Sequence, residues 1–300
     1  MNQSAITAYL LLTLTTLFWA GNVVLARLLH ADISAIALSF GRWSLATLLL
    51  LPFAWKHLRR DWPVLMQNWR IITVLSLLGV SAFNTLLYYS AHTTSSTNIA
   101  LIQTSMPAMI VLLSALVFHE RVSHIAAFGV ALSIAGALLV ITHGDIDMLL
   151  AWQFAPGDLL MLLANLCYAI YSVLLRHRPP VHAMSFLGIS FIVGTLALVP
   201  LFVVDVTSNG LPQLTSLTVG SLFYIAIFPS ILAYLFWNLG VTVVGANQTG
   251  FFICLIPVFT AVLAAVFLNE QLQWFHLLGL LLIVGGFVLF QRRPAPRAAG

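Results

Sequence analysis

Long apolar stretches broken by short polar ones run through the whole chain, and each stretch is about twenty residues long, enough for a helix to cross the ~30 Å hydrocarbon core of a bilayer. Ten spans can be placed, at 8–29, 34–55, 70–91, 98–118, 124–142, 157–177, 183–204, 218–240, 247–268 and 273–291. Barrel strands would alternate apolar and polar over about ten residues. These runs do not alternate, and the pattern predicts an all-α polytopic membrane protein.

The pattern is also written twice. Thr97 to Glu120, TNIALIQTSMPAMIVLLSALVFHE, returns as Asn247 to Glu270, NQTGFFICLIPVFTAVLAAVFLNE. An offset of 150 carries Pro107 to Pro257, Glu120 to Glu270, Gly129 to Gly279 and Gly136 to Gly286. Prolines, glutamates and glycines seldom align together by chance in an apolar sequence, so the offset marks an internal repeat. At 149, Trp19 falls on Tyr168 and Arg27 on Arg176; at 148, Thr47 falls on Thr195 and Pro52 on Pro200. Each half holds five spans. An odd number forces the copies to enter the membrane from opposite sides, an inverted repeat of the kind secondary transporters use. The expected layout is a first five-helix repeat over 1–142, a loop over 143–156, a second repeat over 157–291 and a tail over 292–300.

Composition agrees, with 61% of the 300 residues hydrophobic and 7% charged, against roughly 25% charged in soluble domains. The net charge of +4 lies mostly in loops and reads as a topology signal, with no nucleic-acid footprint. Lys56, Arg59, Arg60, Arg70, Arg121, Arg176, Arg178, Arg292, Arg293 and Arg297 fall on one side of the ten-span layout, and Arg27 alone on the other. Both termini are therefore expected in the cytoplasm, with the chain in the inner (plasma) membrane. Cys167 and Cys254 lie inside apolar runs and suit small buried hydrophobes better than a disulfide or metal site.

Polar side chains inside the spans are the candidates for chemistry, because lipid offers them no partner. Trp19 and Tyr168 are repeat-equivalent and near mid-span, with Asn22 and Tyr171 three residues on, along the same helix faces. Asn84 and Tyr88 stand a turn apart, Tyr234 is close to Trp237, and Gln103 lies a turn into the fourth span. These ten positions, with Arg42 counted among them, are the candidate substrate-binding residues, although Tyr88 and Trp237 are near enough to span ends to serve in an interfacial belt. Arg42 is the only basic residue well inside a span. Burying it costs about 2.5 to 3.5 kcal/mol on insertion scales, and its repeat partner is Ser190. Two readings stand: an anchor for a substrate carboxylate, or an arginine that snorkels outward or pairs with backbone carbonyls and Asp32.

Pro107 and Pro257, placed deep in spans, should free a carbonyl and kink the helix. Glu120 and Glu270 end their spans and should cap the helix that follows. Enzyme signals fail. His119, Glu120 and His124 have one residue too many for a zinc-protease box, no G-x-S-x-G elbow occurs, and no cofactor is called for.

Several of these stretches resemble one family: TLFWAGNVVLAR in the first span, SFGRWSLATLLLLP around Arg42, and the paired segments ending in HE and NE. The chain is similar over almost its whole length to EamA-type members of the drug/metabolite transporter superfamily. The resemblance implies a carrier of small metabolites, often an exporter, with a central cavity lined by spans one to four and six to nine. The expected function is alternating-access transport of a small metabolite such as an amino acid, bearing a carboxylate on the anchor reading of Arg42. A membrane-embedded enzyme, a channel, or a carrier of nucleotide sugars or drug-like molecules are the alternatives, and oligomeric state is left open. All eight acids fall in loops or at span ends, which argues against a proton relay through a buried carboxylate.

Overall fold

The computed structural model describes residues 3–118, 124–145, 147, 148, 154–244, 249 and 252–291, and every regular element among them is helical. The chain runs α1 (Gln3–Leu28), α2 (Ala35–Gln67), α3 (Trp69–Ser76), a π-helical segment (Leu77–Ala82), α4 (Phe83–Ser90), α5 (Ser96–Gln103), α6 (Met106–Phe118) and α7 (His124–Ile141). It continues with α8 (Pro156–Leu174), α9 (Ala183–Asn209), α10 (Ser216–Ile225), a second π segment (Ala226–Leu232), α11 (Ala233–Val244), α12 (Leu255–Leu268) and α13 (Trp274–Gln291). Six helical stretches among the described residues are long and apolar enough to cross a membrane, with shorter apolar helices at 127–141, 255–268 and 274–286. The chain is a polytopic, all-helical membrane protein. Large apolar side chains such as Phe53, Leu116, Leu196 and Leu281 face outward, as lipid contact requires.

Local sequence sets the helix starts. Ser34, Ser95 and Thr215 each accept from the backbone N–H three residues on, at 3.0, 3.1 and 3.1 Å, and Pro156 occupies the first turn of α8, where its missing N–H costs nothing. The prolines expected to kink spans do something else. The fourth span is interrupted after Gln103, and Pro107 is the second residue of the new helix α6; Pro257 is the third residue of α12, after a short 3₁₀ turn at Phe252–Cys254. Both sit in first turns, where no intrahelical bond is lost, so they start helices instead of bending them. The second span runs on to Gln67, past its expected end at 55.

Helices α2 and α9 pack antiparallel. Ser34 at the start of α2 donates to Asp205 near the end of α9. At the opposite end, Asp61 accepts from the His182 N–H at 2.9 Å and Ser185 Oγ at 2.7 Å. Midway, Thr47 and Thr195 meet hydroxyl to hydroxyl at 3.1 Å, so two residues 148 apart touch each other. Helices α7 and α13 repeat the arrangement, with Ser133 Oγ donating to the carbonyl of Ile283, 150 residues away, at 3.3 Å.

Glycines let that second pair close. A Cβ on Gly136 would stand 2.8 Å from the Gly279 carbonyl oxygen, and one on Gly286 2.3 Å from that of Gly129. Backbone cannot yield as a side-chain tip can. Gly286→Val should therefore separate α7 from α13 and lower the yield of monodisperse protein severalfold in size-exclusion chromatography, while Gly220→Val, with open space around the same atom, should leave it unchanged.

Two expectations about acids need correction. Glu270 does not cap the helix after it. Its Oε1 accepts from the Ser96 N–H and Oγ at 2.9 and 2.8 Å, and its Oε2 from the Thr97 N–H and Oγ1 at 3.2 and 2.8 Å. It thus closes the N-terminus of α5, in the other half of the chain. The turn explains this: Asn269 is left-handed (φ 56°) and the Glu270 N–H returns to the Ala264 carbonyl, which directs the carboxylate away from α13. Glu120 lies outside the described residues. Position at a span end also does not mean exposure, since Asp158 is 0% and Asp205 8% exposed.

Candidate functional site

Asn22, Asn84 and Tyr88, three of the polar residues found inside apolar spans, gather around Arg42 on α2, which is 3% exposed. Its Nε donates to Ser230 Oγ at 2.8 Å. Its Nη1 faces Asn84 Oδ1 at 2.8 Å, the Tyr88 hydroxyl at 2.8 Å and Asn22 Oδ1 at 3.1 Å. Tyr88 donates its own proton to Asn22 Oδ1 at 2.8 Å, so the phenol oxygen is free to accept from the guanidinium. The partners come from α1, α4 and the second π segment. Neither snorkelling nor Asp32 accounts for Arg42: the guanidinium stays inside, and Asp32 is exposed and unpaired with it. Tyr88 is 1% exposed and belongs to this network, not to an interfacial belt.

All four acceptors are neutral. No described carboxylate lies within ion-pair distance of Arg42, and Nη2 has no partner among the described residues. The site therefore holds a buried positive charge that dipoles solvate but no described carboxylate neutralises, with one edge of the guanidinium open among the described residues. The Trp43 ring stands 4.7 Å from the guanidinium carbon and adds cation–π attraction.

The second π segment builds part of this holder, and Pro229 explains why it forms. Proline has no N–H for the carbonyl four residues back. The Ser230 hydroxyl fills the gap, donating to the Ile225 carbonyl at 2.8 Å while its lone pair takes the Arg42 Nε. The first π segment occupies the corresponding place in the other half, Gly79 matching Pro229 at an offset of 150. Asn84 follows it, donating to the Val80 carbonyl at 3.3 Å. Single π turns often occur where a helix serves a function.

The aromatic candidates form two groups beside this centre. Trp19 packs on Trp237, ring centres 5.2 Å apart, and donates its indole N–H to the Pro229 carbonyl at 3.2 Å. Tyr168 contacts Phe83 at 4.9 Å and Tyr171 at 5.1 Å. Tyr171 lies flat against Gly79, where a Cβ would come within 2.7 Å of its ring. Tyr234 meets Phe191 edge-on at 6.3 Å and packs on the same apolar cluster as Trp43. Trp19 and Tyr168, equivalent in the repeat, thus sit in separate aromatic groups. Gln103 closes α5 with its side-chain oxygen buried and unpartnered, and no contact joins it to Arg42. Sequence reasoning missed Ser230 and Trp43: a serine in a span is ordinary, and only Pro229 beside it marks the carbonyl that Ser230 serves. No group of three or more metal-ligating side chains occurs among the described residues.

Known proteins place this architecture. An uncharacterized transporter of Archaeoglobus fulgidus is 30% identical over 284 residues, covering 94% of this chain and 96% of that one. The uncharacterized transporter YyaM of Bacillus subtilis is 26% identical over 260 residues, covering 84% and 82%, and protein PecM of Dickeya dadantii is 26% identical over 78% of this chain and 77% of its own. One protein crystal structure has the same fold, with a TM-score of 0.64 at 20% identity over 94% of this chain and 95% of its own. The sequence pattern of the EamA-like transporter family matches twice, over residues 6–142 and 155–291. Two matches that together span nearly the whole helical bundle settle the assignment: the chain is a membrane transporter and belongs to the EamA-like transporter family.

Proposed function

We propose that the chain is an alternating-access carrier of small carboxylate-bearing metabolites, amino acids and organic acids, working in the export direction. Ten spans form two inverted five-helix repeats, 1–142 and 157–291, with both termini in the cytoplasm. The observation that carries the substrate class is the charge of Arg42, held by neutral groups with Nη2 open. A carboxylate arriving there gains a charge-assisted hydrogen bond and neutralises a charge that is costly in a water-poor site. The contacts of Thr47 with Thr195 and of Ser133 with Ile283 support the inverted layout, because the equivalent helices that make them run antiparallel.

The geometry changes how a carboxylate is held. Two parallel bonds from the guanidinium are not on offer, since Nε and Nη1 are occupied. The substrate takes one bond from Nη2 and a second from the hydroxyl of Tyr234, which packs on the same apolar cluster as Trp43. Protein reconstituted in vesicles and assayed against amino acids, organic acids and their amides should move the acids in preference. Equal movement of acid and amide removes the carboxylate reading. Orientation has its own measurement: a reporter active only in the cytoplasm should work when fused after Arg293 and fail at Asp147, and activity at Asp147 would sink the ten-span layout.

A further inference from the structure

Away from Arg42, the N-terminus of α5 is gripped by side chains of the second half. Asp158 of α8 accepts at Oδ1 from Thr94 Oγ1 at 2.5 Å. Thr94 Oγ1 accepts from Asn98 Nδ2 at 3.4 Å, and Asn98 Oδ1 faces His276 Nε2 of α13 at 3.0 Å. The Gln273 N–H donates to His276 Nδ1 at 3.1 Å, which fixes the ring: Nδ1 accepts, so the neutral imidazole carries its proton on Nε2 and donates it to Asn98. Every bond then points one way, from His276 through Asn98 and Thr94 to the carboxylate. Asn98 Nδ2 also faces His143 Nε2 at 3.3 Å, and Glu270 holds the next two residues, Ser96 and Thr97, as described above.

The chain of donors ends on a carboxylate whose other oxygen, Oδ2, is buried without a hydrogen-bond partner among the described residues, and the residue is 0% exposed. The charged and titratable groups around it are His143, exposed in the turn after α7, His276 beyond Asn98, and Glu270 on the far side of the α5 N-terminus. The contact is also tight in backbone terms: a Cβ on Gly157 would stand 2.4 Å from the Ser90 carbonyl oxygen, so α8 rests directly on the 90–94 turn.

We propose that Asp158 is a proton-binding site, and that its protonation releases the α5 end of the first half from the second, opening this end of the carrier, the outer one in the orientation proposed above. An ionised Asp158 takes a short, charge-assisted bond from Thr94. A proton placed on the open Oδ2 removes a buried charge, which costs more than a neutral polar group, and leaves Oδ1 a weaker acceptor. Proton binding and opening of the outer end are then linked, and the carrier responds to the proton concentration on that side. This inference rests on the alternating-access reading, and it reverses the expectation that end-of-span acids exclude buried-carboxylate chemistry.

The test uses the full chain in nanodiscs with Cys167→Ser and Cys254→Ser, spin labels on Ala31→Cys and Leu272→Cys, both exposed, and the proton as the only ligand. Interspin distances should show one short population at about pH 8 and a growing longer one at about pH 5. Asp158→Asn, a permanent mimic of the neutral acid, should show the long population at both pH values, and Thr94→Val, which keeps the carboxylate but removes its donor, should already show it at pH 8. His143→Gln and His276→Gln should keep the wild-type response. Distances that ignore pH in the wild type, or an Asp158→Asn protein that still responds, overturn the proposal; a response lost only in a histidine variant moves the proton to that ring and overturns it as well. The distances are read without substrate, so they judge the latch independently of the uptake panel that judges the carrier.

Discussion

Arg42→Ala should lower uptake of a carboxylate substrate about 100-fold per folded molecule and uptake of its amide by only a fewfold. A charge-assisted hydrogen bond contributes roughly 1.5 to 3 kcal/mol, and 1.4 kcal/mol is a factor of ten, so loss of the Nη2 contact and of the local charge together reach two powers of ten. The amide never used the charge and loses only the shape of the site. Arg42→Lys should lie between. An ammonium keeps the charge, but from one nitrogen it cannot hold Ser230, Asn84 and Tyr88 and still present a free N–H to substrate. Tyr234→Phe gives a second measure: uptake of the acid should fall several-fold with folded yield unchanged, since that hydroxyl has no partner among the described residues. Equal losses for acid and amide in the Arg42 series would return the guanidinium to the scaffold, as the buried tie between α1, α2, α4 and the second π segment.

The second large effect is on stability. Glu270→Ala should destabilise the folded protein by about 2 to 4 kcal/mol, seen as a fall of several degrees in the thermal unfolding midpoint in detergent. Four donors converge on this carboxylate. Hydrogen bonds to a charged group contribute roughly 1.5 to 3 kcal/mol each when counted singly, and they do not add in full. Glu270→Gln separates charge from geometry. It keeps the acceptor for one residue but brings two donor hydrogens against the N–H of the other, Ser96 or Thr97, so it should recover less than half of the loss. An unchanged midpoint in both variants would mean that water serves the α5 N-terminus equally well.

What the sequence made legible follows from what a bilayer forbids. Asn22, Arg42, Asn84 and Tyr88 stood out because each is a polar group in a run otherwise fit only for lipid, and all four meet in one network. Ser230 did not stand out. Its role depends on Pro229 removing an N–H, on the carbonyl left over, and on α2 passing at the right height, and only the first of these is written in the sequence. Trp19 and Tyr168 show another limit: equivalence in a repeat fixes where two residues lie along their helices, but the aromatic neighbours that receive them come from other spans. The acids were misjudged for a related reason. Hydropathy shows where a span ends along the chain, but not whether another helix covers that end, so Asp158 read as a span-end residue unfit for buried chemistry and Glu270 as a cap for its own neighbour.

The paired π segments bear on how such a helix can rearrange. A π turn holds one residue more than the α turn it replaces. If either segment tightened to α, the helix beyond it would turn by about 100° and shift by about 1.5 Å along its axis, one residue's worth of screw. Asn84 lies just beyond the first segment and Ser230 inside the second, so a single step of that screw in either half carries an Arg42 acceptor out of reach without melting a helix. The slack is quantised. Each half holds one spare residue, and the grip on the guanidinium can be released from either side in a single discrete move.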